Sequence, residues 1–223
     1  LLRARYGAEA GEGDADARAK LYEEAIKEAP SDTSVKCQFW LGRFRDNQLG
    51  EALRKAERRE VFDRMRGGIA RSCPDAREVK DAEVEQKVLD AYVTHLPDVL
   101  RAYGKGLKHG GKYAPRALPR LLTLWLAYAD ALAKWPRAPP AGAEKAHEVM
   151  ESLAKGVPLH AWLPSTSHLV SRVCHRKQNT RELVGALLAK LLAEYTPQLA
   201  WAVVPMTLEA NPKSRERKRA HEH

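Results

Sequence analysis

The chain has 223 residues, with 38 Lys and Arg against 29 Asp and Glu, for a net charge of +9, and only 3 Phe and 3 Cys. Abundant Ala, Leu, Arg, Lys and Glu favour an all-α chain, long enough for one domain or a run of repeats. Its apolar runs are too short to cross a bilayer. No signal pattern opens it, and Cys37, Cys73 and Cys174 form no CxxC pair, which argues for a reducing compartment and against a disulfide or zinc framework.

Residues 1–16 are rich in Gly, Ala and Asp and read as a poorly ordered lead-in, and the absence of a starting Met suggests a fragment. Asp14 or Asp16 caps a first helix with Leu21, Tyr22, Ala25 and Ile26 inward, ended by Pro30. A second helix carries Val35, Phe39, Trp40, Leu41 and Phe44. The pair has the approximate period of a tetratricopeptide hairpin, although an ordinary helical hairpin fits as well. Residues 51–66 are helical by propensity, with Leu53, Ala56, Phe62 and Met65 inward, and Gly67, Gly68 and Pro74 mark a loop. Helix resumes from Asp75 to Lys108, with Pro97 either kinking it or opening a new segment at Asp98.

The stretch Tyr113–Leu132 stands at the centre of the chain. Leu118, Leu121, Leu122, Trp125, Tyr128 and Leu132 recur at helical spacing, and Leu124 and Leu126 widen the stripe until the helix is apolar over most of its girth. Such a helix has neighbours on more than one side. WPRAPPAG (135–142) is a Pro-rich linker. Beyond it come a helix from Glu144 to Leu153 and another from Trp162 to Cys174. A third opens on an Asn179/Glu182 capping box, and Pro197 starts the next segment, with Leu199, Trp201, Val203 and Val204. The expected architecture is an α-solenoid of tetratricopeptide- or HEAT-like hairpins with about seven to nine helices. Its parts are a helical-repeat part over 17–134, the linker, a C-terminal helical part over 143–210 and a basic tail over 211–223.

No stretch makes an enzyme. GKGLKHGGK (104–112) matches neither a Walker loop nor a dinucleotide or kinase glycine loop, and reads as a glycine-capped helix end with solvated lysines. Cys174–His175 reads as a buried cysteine beside a surface histidine, because adjacent helical residues point about 100° apart. Ser165–His168 reads as a polar helix start. Arg120 and Arg172 lie beside apolar stripes; they either pair with acidic neighbours or, the slightly favoured reading, are ordinary surface charges. Trp125, Leu121, Leu122, Trp162, Leu188 and Trp201 are expected to hold successive hairpins together. The cations are not clustered in a way that carries nucleic-acid binding.

KYAPRALPRLLTLWLAY (112–128) closely resembles the FAT domain of the ATR-type checkpoint kinases, in the phosphatidylinositol-3-kinase-related family. It is similar to the family segment in which a basic, Tyr-containing turn leads into a PR-L-TLW helix. HLVSRVCH (168–175) resembles the family's QLISRICH helix, and LLAKLLAEYTPQLAW (187–201) its PQ-x-x-W block. Upstream, CQFWLGRFRDNQL (37–49) resembles the LAKYYDKL helix, with YYD weakened to Arg43-Phe44-Arg45-Asp46, and RAYGKGLKHGGKY (101–113) resembles a further block. The motif residues carried over are Leu118, Pro119, Arg120, Leu121, Leu122, Trp125, Ser171, Arg172, Pro197 and Trp201.

The resemblance covers roughly residues 20–219 and implies a helical scaffold that wraps a kinase domain following it in the same polypeptide. It also implies a nuclear serine/threonine kinase as parent, active in the DNA-damage and replication-stress checkpoint and bound to a regulatory partner subunit. The chain itself has no glycine loop on a strand, no catalytic-loop Asp/Asn pair and no metal-binding Asp motif. ATP and Mg are therefore expected only in the kinase domain, and no cofactor, membrane or direct nucleic acid is expected here. A free-standing tetratricopeptide-like peptide-binding module and a basic nucleic-acid-binding helical protein are the alternatives.

Overall fold

The computed structural model describes residues 14–66, 74–108, 111–135 and 139–207, and among them the chain is all-α. Seven helices follow in order: α1 (Ala15–Glu28), α2 (Ser31–Arg66), α3 (Pro74–Lys108), α4 (Ala114–Lys134), α5 (Lys145–Gly156), α6 (Thr166–Val170) and α7 (Gln178–Thr207). Short 3-10 turns precede α4 (Gly111–Tyr113) and α6 (Leu159–Ser165). The expected α-solenoid of helical hairpins is the architecture found. The basic tail, Cys73 and the Gly67–Gly68 loop lie outside the described residues.

Local chemistry sets the helix ends. The Asp14 carboxylate accepts from the Ala15 N–H at 2.7 Å and starts α1 within the segment expected to be poorly ordered. The second helix and the 51–66 segment are one 36-residue helix, too long for a tetratricopeptide hairpin. Pro97 lies inside a continuous α3, and Pro119 in the second turn of α4 without ending it. In α7 the break falls at Tyr195 (φ −124°, ψ 40°), in the turn before Pro197, whose missing N–H and ring interrupt the helical ladder. The Asn179/Glu182 capping box does not form: α7 begins one residue earlier, and the Gln178 side-chain amide donates to Glu182 at 2.8 Å instead.

The largest hydrophobic cluster is contributed by every helix but α1 and centres on α4, whose Leu118, Leu121 and Leu122 are fully buried and whose Trp125 is 2% exposed. Leu124 and Leu126 are buried as well, so α4 is enclosed on most sides. α3 and α5 pack together, and the core runs unbroken from the helices before the 135–142 linker to those after it. Trp135, the first linker residue, is itself buried. The linker's last turn needs Gly142, which sits at φ +84° where a side chain is strained. The Tyr128 hydroxyl then donates to the Ala143 carbonyl at 2.9 Å and pins the start of α5 to α4. A smaller cluster of Tyr22, Leu41 and Ala102 holds α1 against α2 and α3.

Gly104 of GKGLKHGGK lies inside α3 and serves packing. A Cβ on Gly104 would overlap the Leu153 side chain, so this glycine lets α5 approach α3 closely. On α2, a Cβ on Gly42 would likewise run into the Tyr103 ring.

Trp201 departs from expectation: it is 84% exposed, whereas Leu199, two residues earlier, is buried. Leu199 continues the four-residue spacing of Leu187 and Leu191, and Trp201, two residues on and so about 200° round the helix, faces away from the core. The two tryptophans therefore differ in energetic weight. Trp125→Ala is expected to cost about 3–5 kcal/mol in urea denaturation, the usual range for an aromatic truncated in a core. Trp201→Ala is expected to stay within about 0.5 kcal/mol of the parent chain. Equal losses for the two variants would contradict the placement of the core.

Candidate functional site

The sequence-derived motif residues come together mainly through α4, which is clamped near both ends by ion pairs. Near its start, Arg120 reaches α2: its Nε donates to Asp46 Oδ2 at 2.8 Å and its Nη2 to Asp46 Oδ1 at 2.9 Å. This is the bidentate fork that makes Arg–carboxylate pairs strong. The Tyr103 hydroxyl of α3 donates to the same carboxylate at 3.4 Å, so one aspartate ties three helices. Asp46 is the acidic residue of the weakened YYD block, and Arg120 belongs to the PRLLTLW block.

Ten residues further along α4, Asp130 closes a second clamp. Its Oδ2 accepts from Arg172 Nη1 at 2.8 Å, and its Oδ1 lies 3.0 Å from His175 Nε2. The Lys177 backbone N–H donates to His175 Nδ1 at 3.1 Å. Nδ1 is thus the acceptor, and the proton on Nε2 goes to Asp130. Arg172 and His175 both come from HLVSRVCH, so the first clamp joins three of the family-like blocks and the second ties a fourth to α4 just beyond the PRLLTLW block.

Several sequence readings are corrected here. Arg120 and Arg172 are partners in inter-helix ion pairs and not ordinary surface charges. His175 is buried and Cys174 exposed, the reverse of the expected order. The reason is that α6 ends at Val170 and 171–174 are turns, so the helical spacing assumed through Cys174 does not apply. Ser165 and Thr166 stand at the start of α6, as the polar helix start expected there, and both are buried. Ser171 donates to the His168 carbonyl at 2.9 Å and finishes the turn. Pro197 is exposed, Pro119 half-buried, and Trp201 lies outside both clamps. Sequence reasoning missed Asp130 and His175 as a pair. The signal available was a lone carboxylate at the end of an otherwise apolar helix.

Aromatic contacts and burial complete the surroundings of α4. Trp125 stacks on His147 of α5 with ring centroids 6.0 Å apart, and Tyr92 of α3 meets Tyr128 at 5.4 Å. Burial, reinforced by the Asp46 carboxylate, raises Tyr103 far above the ordinary phenol range. Burial, with Glu144 adding to it, pushes Tyr128 up to about 12. The hydrogen bonds that Arg120 donates to Asp46 likewise raise Arg120 and keep it charged. Among the described residues no group of three or more His, Cys, Asp or Glu is gathered as a metal site, and no helix is long and apolar enough to cross a membrane. The clamps are structural chemistry: they fix the register of helices and offer no nucleophile or acid–base pair aimed at open space.

Two consequences are measurable. Asp130→Ala leaves the buried His175 N–H without its acceptor and is expected to cost about 1–3 kcal/mol. Arg172→Ala, removing a side chain 42% exposed, should cost no more than about 1 kcal/mol. Urea denaturation of the two variants checks the order, and a larger loss for Arg172→Ala would contradict it. For the phenols, the folded pKa lies above the unfolded value of about 10, so their stabilisation is complete below about pH 10 and is lost as pH rises through the folded values. Melting temperature should therefore fall on going from about pH 9 to about pH 12, and Tyr128→Phe should make that fall shallower. An alkaline limb identical in the variant would remove Tyr128 from the account.

Comparisons with known proteins point the same way as the motif blocks. The family model described as serine/threonine-protein kinase ATR-like, HEAT repeats, matches residues 145–222. The serine/threonine-protein kinase ATR of Oryza sativa subsp. indica is 28% identical over 173 residues, which is 76% of this chain and 6% of that protein. The ATR kinase of Arabidopsis thaliana is 30% identical over 118 residues, 51% of this chain and 4% of the relative. That of Drosophila melanogaster is 21% identical over 204 residues, 92% of this chain and 7% of the relative. The chain thus spans only a small fraction of the length of these relatives, and no solved structure matches it. Together these matches support a HEAT-repeat region of the ATR-like, phosphatidylinositol-3-kinase-related kind.

Proposed function

We propose that these residues are the FAT scaffold segment of an ATR-like serine/threonine protein kinase, bracing a kinase domain of the same polypeptide. The observation that carries this reading is the double clamp on α4. Asp46–Arg120 and Asp130–Arg172–His175 tie together blocks that resemble the FAT domain, so the residues behind the resemblance are spent on rigidity. A scaffold contributes by holding a neighbouring domain in one orientation, and orientation is worth most when the supporting stack has a single register. Trp201, in the PQLAW block, is a large apolar side chain that the described core does not use, which supports a packing role toward that neighbour.

In this reading the segment binds no ATP and transfers no phosphate. Its parent acts in the nucleus in the response to DNA damage and stalled replication, with a regulatory partner subunit. The similarity to ATR kinases from plants and an insect supports that placement.

The first test is the transcript beyond His223. A glycine loop on a strand, followed by a catalytic-loop Asp/Asn pair, is the expected result, and a stop codon directly after His223 would overturn it. The second test uses the long polypeptide itself. Arg120→Ala combined with Asp130→Ala should lower substrate phosphorylation severalfold while nucleotide affinity stays unchanged. Full activity in that variant, with a lowered melting temperature proving the clamps broken, would separate the fold from any bracing role.

A further inference from the structure

Between α5 and α7 the surface opens into a groove of about 490 Å³, lined by His147, Glu151, Ala154 and Lys155 on one side and by Asn179, Glu182, Leu183, Ala186, Leu187 and Lys190 on the other. Both helices pack on the core but touch each other little, which leaves the cleft. Its apolar lining is Ala154, Leu183, Ala186 and Leu187, of which Leu187 is buried, Ala154 and Leu183 are half-buried and Ala186 is exposed. Small side chains allow a backbone to come close, and leucines supply apolar contact.

The charges along this groove are ordered. Glu144, just before α5, meets Lys177, just before α7, at 3.7 Å, so the two helices begin side by side. From that shared start, Glu151 and Glu182 stand about 8–10 Å up the groove, and Lys155 and Lys190 about 17–20 Å up, at 1.5 Å per residue. The groove therefore has an acidic end near the helix starts and a basic end about 10 Å beyond it.

We infer that the groove is a docking site for one amphipathic helix of a separate protein, running antiparallel to α5 and α7. An acidic residue near its N-terminal end meets Lys155 and Lys190, and a basic residue two turns later meets Glu151 and Glu182. Apolar or small residues between them lie on this lining. The spacing fixes the pattern: an acid at i, Ala or Leu at i+3 and i+4, and Lys or Arg at i+7 lie on one helix face. The direction follows from the macrodipole, since an acid at the N-terminus and a base at the C-terminus suit the guest helix itself. Antiparallel alignment also sets its dipole against those of the two host helices. None of the 29 Asp and Glu of this chain is followed by two apolar residues at i+3 and i+4 and a Lys or Arg at i+7. The guest is thus not a second copy, and the inference does not depend on a kinase domain following this segment.

The test uses the 223-residue chain and two fluorescent helical peptides, one with the acid–apolar–apolar–base order and an isomer with acid and base exchanged. Fluorescence anisotropy should favour the first by about fivefold, the size expected of a few rim ion pairs. The charge-swapped variant Glu151→Lys/Lys155→Glu/Glu182→Lys/Lys190→Glu changes only exposed side chains and should reverse the preference. Ala186→Arg, which fills the groove, should abolish binding of both peptides while circular dichroism stays unchanged. Equal affinity for the two peptides, absence of binding, or binding that survives Ala186→Arg would each overturn the proposal. Self-association of the chain that Ala186→Arg abolishes would also overturn it, in favour of a second copy.

Discussion

The burial of α4 is the constraint from which the rest of the structure follows. A helix with Leu118, Leu121, Leu122, Leu124, Trp125, Leu126 and Tyr128 all out of water keeps only a narrow stripe, Arg116, Arg120, Thr123, Ala127 and Asp130, toward solvent. Each buried leucine or aromatic is worth a few kcal/mol, on the order of 2–3 apiece, so no single hairpin partner satisfies the helix. α3 covers one flank, the 3-10 turn and α6 another, and α5 and α7 close the shared core. The continuity of the core across the 135–142 linker is a consequence: α4 reaches that linker still needing cover, and α5 is the next element able to supply it.

Apolar burial alone does not choose one register among several, because a leucine stripe slides a turn at modest cost. The two clamps do that work. Asp46 offers one carboxylate to a guanidinium on α4 and a phenol on α3, and a one-turn shift of α4 would move Arg120 about 5.4 Å away from it. Asp130 repeats the arrangement toward the 171–175 turn, with the added requirement that His175 keep its proton on Nε2. Exposure decides how such pairs count. Arg120 and Arg172 are each about half exposed, so their contribution to stability is modest and their contribution to register is the greater one.

The legible part of this fold was the part written in periodic apolar residues. α4, the helical class and the core leucines of α7 follow from three- and four-residue spacing, and the structure has them. Spacing fails wherever the chain stops being a helix. Reading one helix from Trp162 to Cys174 put Cys174 inside and His175 outside, and the 171–174 turns reverse both. Trp201 fails for another reason: it was expected in the core together with Leu199, yet residues two apart on a helix lie about 200° round it, and only Leu199 faces inward. The clamps were illegible for a different reason. Asp46 and Arg120 are 74 residues apart, and Asp130 and His175 are 45 apart, so no local pattern connects them. What sequence did hold was their blocks, through the family resemblance, without the pairing between them.

The charges divide along the same line. Asp46 and Asp130 are matched by geometry to Arg120 and Arg172 at the partly exposed edge of the packing around α4. Glu151, Lys155, Glu182 and Lys190 are exposed and graded by sign along a groove lined between them by alanine and leucine. Solvated helix faces commonly mix their charges, and mixing along each helix is what i, i+4 pairing within a helix would favour. Here Glu151 and Lys155 do stand four residues apart on α5. Yet the Glu151 carboxylate meets His147 at 3.3 Å, and Glu182 is held by Gln178, which keeps both acids at the same end of the groove. The neutral or weakly basic partners leave that end acidic and the lysine end basic. The order of charge is thus a property of the two helices taken together, and it exists only because the α4 core sets α5 and α7 side by side.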